Sequence, residues 1–246
     1  EVRRLGLIPT PPERRRLYGS ATISLVPEQS WVPVNRRDPF VALQTMINQG
    51  STSSCVGASG ACGAGKLRAL HGQPFTLLSG CYLYSLINGG RDQGAMILDA
   101  LEALEKFGSC RAESCPYSDK QNIYRKNTQK HDKEASRFRL AKGFKVDTRE
   151  EAASVILRGG ILQFGVRVGN KFDSLNAEGV CGFDSGYANH SVHADGLVET
   201  KSYGWCLDVE NTWGYNWGVN GRFLFPLSRF ESVGYQEAFA HMEIID

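Results

Sequence analysis

The chain has 246 residues, 28 of them basic and 26 acidic, with a net charge of +2. That length fits one large domain or one domain of two lobes, and 41% hydrophobic with 22% charged residues allows an ordinary packed core. The near balance of charge argues against nucleic acid as the main partner, and no apolar run reaches the roughly 18 to 20 residues of a membrane-spanning helix.

The first 50 residues are rich in Pro, Arg and Gln and read as an extended arm, with one strand suggested by Ile23-Ser24-Leu25-Val26. Arg14, Arg15, Arg16, Arg36 and Arg37 read as solvated surface. No signal-peptide pattern follows Glu1, so a leader was removed or never present and localisation stays open. Phe75 to Leu86 is apolar enough for a buried helix. From Asp92 as N-cap, Met96, Ile97, Leu101 and Leu104 recur at helical spacing until Gly108 stops the run. Its acidic stripe, Asp99, Glu102 and Glu105, reads as a solvated face. Residues 116 to 145 read as a long polar connection. Thr148 and Glu151 then form a capping box for a helix ending at Gly159-Gly160. Strands are expected at Ile161 to Val168, Ser191 to Glu199, Tyr203 to Val209, Arg222 to Phe225 and Ala238 to Ile245. Helices first and strands later predict an α+β protein.

Cys55 follows the turn-rich stretch Asn48-Gln49-Gly50-Ser51-Thr52-Ser53-Ser54 and opens a helix-like segment. A helix N-terminus offers unpaired N–H groups and a positive dipole end, both of which favour a thiolate. A thiolate nucleophile needs a general base, a group orienting that base, and an oxyanion hole. His190, at the mouth of a predicted strand, and Asn211, at the end of the next, have the residue types for the first two roles, with Asn211 slightly beyond the usual separation from the cysteine.

These segments together resemble the papain-like cysteine peptidases. Asn48-Gln49-Gly50, four residues and Cys55 look like that family's nucleophile motif, and His190-Ser191-Val192 with Gly196 like its histidine strand. Asn211-Thr212-Trp213-Gly214-Tyr215-Asn216-Trp217-Gly218 followed by Asn220-Gly221 is close to its asparagine motif. Asn88-Gly89-Gly90 resembles its substrate-pairing glycines, and Cys115-Pro116-Tyr117 sits where members carry Pro-Tyr. The resemblance implies a two-lobed α+β fold. Residues 1–48 would be an N-terminal arm, 49–140 a helical lobe and 141–246 a β-barrel-like lobe, with the active site between the lobes.

It further implies a cysteine endopeptidase with Cys55 as nucleophile, His190 as base, Asn211 as its orienter and Gln49 as oxyanion donor. Gly89, Gly90, Arg91, Ser54, Asn189 and Trp213 would contact substrate, with Trp213 shielding the pair from water. The expected partner is a polypeptide substrate, with a propeptide or inhibitor outside this chain as a further candidate; no cofactor or metal is implied. Two positions depart from the family pattern: Thr52 stands where a disulfide cysteine is usual, and Val56 replaces the aromatic after the nucleophile. The alternatives are an acyltransferase, and a catalytically silent domain that binds peptides or serves a larger assembly.

Other signals are weaker. Gly60-Ala61-Cys62-Gly63-Ala64-Gly65-Lys66 has phosphate-loop spacing but is followed by Leu67 where Ser or Thr is required. The three-residue spacing of Gly57, Gly60 and Gly63 suits close approach of another element. His193 points to the opposite strand face from His190, so the two do not share an ion; it reads as a core or surface residue. Seven cysteines leave at least one unpaired, and Cys110 with Cys115 have the separation of a small disulfide. Arg91 and the Ala188-Asn189 pair are expected to shape the pocket for the second residue before the cut, favouring an acidic or polar side chain there.

Overall fold

The computed structural model describes residues 3–17, 23–36, 46–231 and 237–245. The arm departs from its expected form. Pro12, with φ already fixed for the first helical turn, opens a short helix, α1 (Pro12–Leu17). Residues 23–26 form no strand; the Val26 N–H donates instead to Ser154 Oγ at 2.9 Å. Farther along, Val34 pairs singly with Leu197 of the sheet.

Helix α2 (Cys55–Leu70) runs through the middle of the molecule and is buried from Cys55 to Arg68. Its glycines permit the contact their spacing suggested. A Cβ on Gly57 would lie 2.6 Å from the Gly80 carbonyl oxygen, and one on Gly63 would lie 2.9 Å from Ile161 Cγ2. One side of α2 therefore packs on α3 (Gly80–Ile87), capped by Ser79, and the other on the sheet. The phosphate-loop spacing falls inside this continuous helix.

Helix α4 (Ile97–Lys106), with Met96 as its N-cap, begins four residues later than an Asp92 N-cap would place it. Gly94, at φ 101°, breaks the run, and the Asp92 carboxylate is taken by the Ser53 N–H (2.8 Å) and the Tyr84 hydroxyl (3.1 Å). The acidic stripe is not simply solvated: Arg14 reaches Asp99 at 2.7 Å and Glu102 at 3.2 Å. Short helical turns between Lys120 and Ala135 occupy the expected long connection. The Thr148–Glu151 capping box forms and opens α5 (Arg149–Leu157).

The strands are β1 (Phe144–Lys145), β2 (Ile161–Val166), β3 (His190–Thr200), β4 (Gly204–Glu210), β5 (Arg222–Pro226) and β6 (Ala238–His241). They form an antiparallel sheet in the order β1-β6-β2-β3-β4-β5. The sheet is unclosed among the described residues, its edge strand β1 being only two residues long.

Alternation along β3 sends Ser191, His193 and Asp195 toward α2, where Ser191 Oγ meets Ser59 Oγ at 2.8 Å and Asp195 meets Lys66 at 2.7 Å. Val192, Ala194 and Leu197 enter a second apolar core with Val155, Phe164 and Phe223. The topology gathers three chain positions at one end: Cys55 is the first residue of α2, His190 the first of β3, and Asn211 the residue after β4.

Candidate active site

Cys55 is fully buried. The N–H groups of Ser191, from β3, and of Gly6, from the arm, are directed to its sulfur along with the local N–H groups of Val56 and Cys55. Burial outweighs these donors and pushes the thiol up to about 11, so it is protonated at neutral pH. The sequence-based expectation of a thiolate rested on the helix terminus alone; the full burial of the thiol reverses it in this conformation.

His190 is also fully buried. Its Nε2 contacts Asn211 Oδ1 at 2.7 Å, while Nδ1 has no hydrogen-bond partner among the described residues. Burial lowers its pKa to about 4, with the Asn211 contact opposing that shift, so the ring is neutral at neutral pH. Trp213 lies over the imidazole with ring centroids 4.7 Å apart, and Phe172 meets it edge-on at 6.4 Å. The Asn211 carboxamide is fixed in turn by the Thr212 N–H, which donates to Oδ1 at 2.8 Å.

Gln49 lies beside this group. Its Oε1 accepts from the Thr212 hydroxyl, and its Nε2 donates to the carbonyls of Thr52 (2.7 Å) and Arg4 (3.1 Å). The Arg4 contact comes from a strap, residues 3–10, that lies over the site. The Leu7 N–H donates to the Asn189 carbonyl at 3.2 Å. Ala95 pairs with the strap on both sides of Leu7, donating to Gly6 and accepting from Ile8, each at 2.9 Å.

Leu7 packs in one cluster with Cys55 and Ala188, over a floor at Gly165, where a Cβ would lie 2.7 Å from Leu7 Cδ2. Arg3 closes the other end, its guanidinium 4.7 Å above the Trp213 ring and 2.8 Å from Asp173. Glu237 anchors the strap's far end, accepting from the Thr10 N–H at 3.0 Å and from the Thr10 hydroxyl.

The family profile described as papain family cysteine protease matches residues 33–239. The chain belongs to that family. No curated protein sequence matches it, but solved structures share its fold. Xylellain, a cysteine protease from Xylella fastidiosa, aligns over 100% of this chain and 99% of its own, with TM-score 0.79 and 21% identity. The cysteine protease and lectin-like domains of Cwp84 from Clostridium difficile align over 99% of this chain and 56% of that one, at TM-score 0.73 and 17% identity. The proform of the ragweed pollen allergen Amb a 11 covers 95% of this chain and 73% of its own, at TM-score 0.68 and 19% identity.

In this papain-family protease the fold brings Cys55, His190, Asn211, Gln49 and Trp213 to one place, together with the backbone of Asn189. The Asn189 side chain turns away to bind both backbone groups of Val168, at 2.8 and 3.0 Å. Ser54 is buried beneath the site, with its hydroxyl between Thr52 Oγ1 (2.7 Å) and the Tyr117 hydroxyl (2.9 Å). Gly89, Gly90 and Arg91 form an exposed turn after α3, and the strap pairs instead with Ala95. Ala188 shares an apolar cluster with Leu7 of the strap, and both side chains lie against Gly165. Sequence reasoning missed the strap residues Arg4, Gly6 and Leu7, and also Asp92, which accepts from the Ser53 N–H and faces Arg4 at 3.4 Å. Arg4 and Asp92 are opposite charges on adjacent walls, but no motif joins them in the chain.

Proposed function

We propose that this papain-family cysteine protease is an endopeptidase working through Cys55, His190, Asn211 and Gln49, and that the strap holds it latent. The observation that carries the reading is the 2.7 Å contact of His190 Nε2 with Asn211 Oδ1, which leaves Nδ1 as the ring nitrogen available for proton transfer. With the strap displaced, water re-enters, the desolvation that keeps Cys55 protonated falls, and Nδ1 takes its proton. The thiolate adds to the scissile carbonyl, and the developing oxyanion is met by Gln49 Nε2 and the N–H of Cys55. His190 then protonates the leaving amine and activates the water that releases the acid.

Latency follows from what the strap offers. It directs the N–H of Gly6, not a carbonyl carbon, at the sulfur, and the Arg4 carbonyl takes the Gln49 donor that an oxyanion needs. The covering is also tight. A Cβ on Gly6 would lie 1.8 Å from the Ser53 carbonyl oxygen, so Gly6→Ala expels the strap at this point.

The test is peptide hydrolysis by full-length Gly6→Ala and by Gly6→Ala/Cys55→Ala. Cleavage by the first and not the second supports the reading. A folded Gly6→Ala protein with no hydrolysis sinks it in favour of a silent domain whose cleft only holds peptides.

A further inference from the structure

The elements that bring Cys55, His190 and Asn211 together also carry a second group: Cys62 on α2, His193 on β3 and Glu210 at the end of β4. One donor atom from each lies within 4.8 Å of the others, and all three residues are buried. The Cys62 thiol donates to Glu210 Oε1 at 3.0 Å, while Glu210 Oε2 is held by Lys66 Nζ at 2.7 Å and Arg222 Nη1 at 3.2 Å. His193 is 1% exposed, yet neither ring nitrogen has a hydrogen-bond partner among the described residues. A buried donor or acceptor left unmet destabilises a fold, so two on one ring point to a missing partner. The neighbouring wall is crowded, since a Cβ on Gly63 would lie 3.7 Å from the imidazole and 2.9 Å from Ile161.

We propose that Cys62, His193 and Glu210 bind a zinc-class divalent ion that clips α2, β3 and β4 together. The donors are one thiolate, one imidazole and one carboxylate oxygen, a set that suits zinc and not magnesium or calcium, which take oxygen donors. Three protein donors are the set found in zinc sites that keep a fourth position for another ligand. Zinc bonds of about 2.0–2.3 Å put tetrahedral donor atoms roughly 3.2–3.8 Å apart, so sub-ångström shifts close the group around an ion.

On binding, the Cys62 S–H bond breaks, its proton leaves to solvent and a metal–sulfur bond forms, with no change of oxidation state. Lys66 keeps its contacts with Glu210 Oε2 and Asp195. Without an ion, burial and the Glu210 carboxylate keep the thiol protonated. The inference is independent of the peptidase reading.

The experiment uses the full chain carrying Cys55→Ala, which removes the catalytic thiol as a competing ligand. Protein produced with zinc chloride and dialysed without chelator is assayed for bound metal, and a parallel cobalt-loaded sample is read for the thiolate-to-cobalt charge-transfer band. The proposal expects about one ion per chain and a clear band, with both lost on adding Cys62→Ser or His193→Gln. A folded parent with substoichiometric zinc and no cobalt band overturns it without recourse to the variants. Equal metal content in either folded variant overturns it as well.

Discussion

Gln49 is fixed from both ends. The Thr212 hydroxyl sets its Oε1, so Nε2 is the end presented to the strap, where it meets Arg4. If Nε2 is an oxyanion donor, Gln49→Ala in the unstrapped Gly6→Ala protein lowers kcat/KM by about 10²–10³, mainly through kcat. Steady-state kinetics on one peptide substrate check this, and an unchanged kcat removes Gln49 from the chemistry. That Cys55, Gln49, His190 and Asn211 would come together was legible in the sequence because each sits in a short local pattern; the roles assigned to them above are proposals. The strap was not. Leu5-Gly6-Leu7-Ile8 signals a short apolar stretch, but its partners Ser53, Ala95 and Asn189 lie far along the chain, and only the fold supplies them.

At the scale of elements, the same division holds. The capping box of α5 was readable because Thr148 and Glu151 satisfy one another within one turn. The start of α4 was misplaced because Asp92, a good N-cap by type, has its carboxylate committed to Ser53 and Tyr84. In the arm, residues 23–26 have β propensity but bond to a side chain on α5 instead of a strand edge. The glycines of α2 give the corresponding prediction. Ala is the better helix former by up to about 1 kcal/mol, yet a Cβ at Gly57 would press on the Gly80 carbonyl at 2.6 Å. Gly57→Ala therefore destabilises the protein by about 1–3 kcal/mol in urea unfolding. A neutral or stabilised variant would mean that α2 and α3 separate easily.

For the molecule as a whole, the seam between α2 and the sheet is ionic where an apolar core would be ordinary. Lys66 and Arg222, both fully buried, join Asp195 and Glu210. Burial by itself pushes both carboxyls up, but Arg222 and Lys66 more than offset it and hold them below the usual carboxylate range. Carboxyls depressed in this way stabilise the fold above their unfolded pKa of about 4, and that contribution is lost as pH falls. Lys66→Met leaves two buried carboxylates short of a cation and costs about 3–5 kcal/mol at neutral pH. Its stability falls less steeply than wild type's on acidification. A variant as stable as wild type in urea at neutral pH would contradict the ion-pair account.

In this papain-family cysteine protease the proposed nucleophile, Cys55, lies buried and protonated beneath the strap of residues 3–10. The most direct measurement is the rate at which a peptidyl epoxide alkylates Cys55, followed by mass spectrometry across pH, in the intact chain and in Gly6→Ala. Slow labelling of the intact chain is expected at neutral pH, because Cys55 is fully buried and the strap must open before the epoxide reaches its sulfur. Gly6→Ala should label rapidly at neutral pH. Equal neutral-pH rates for the two folded proteins would contradict it.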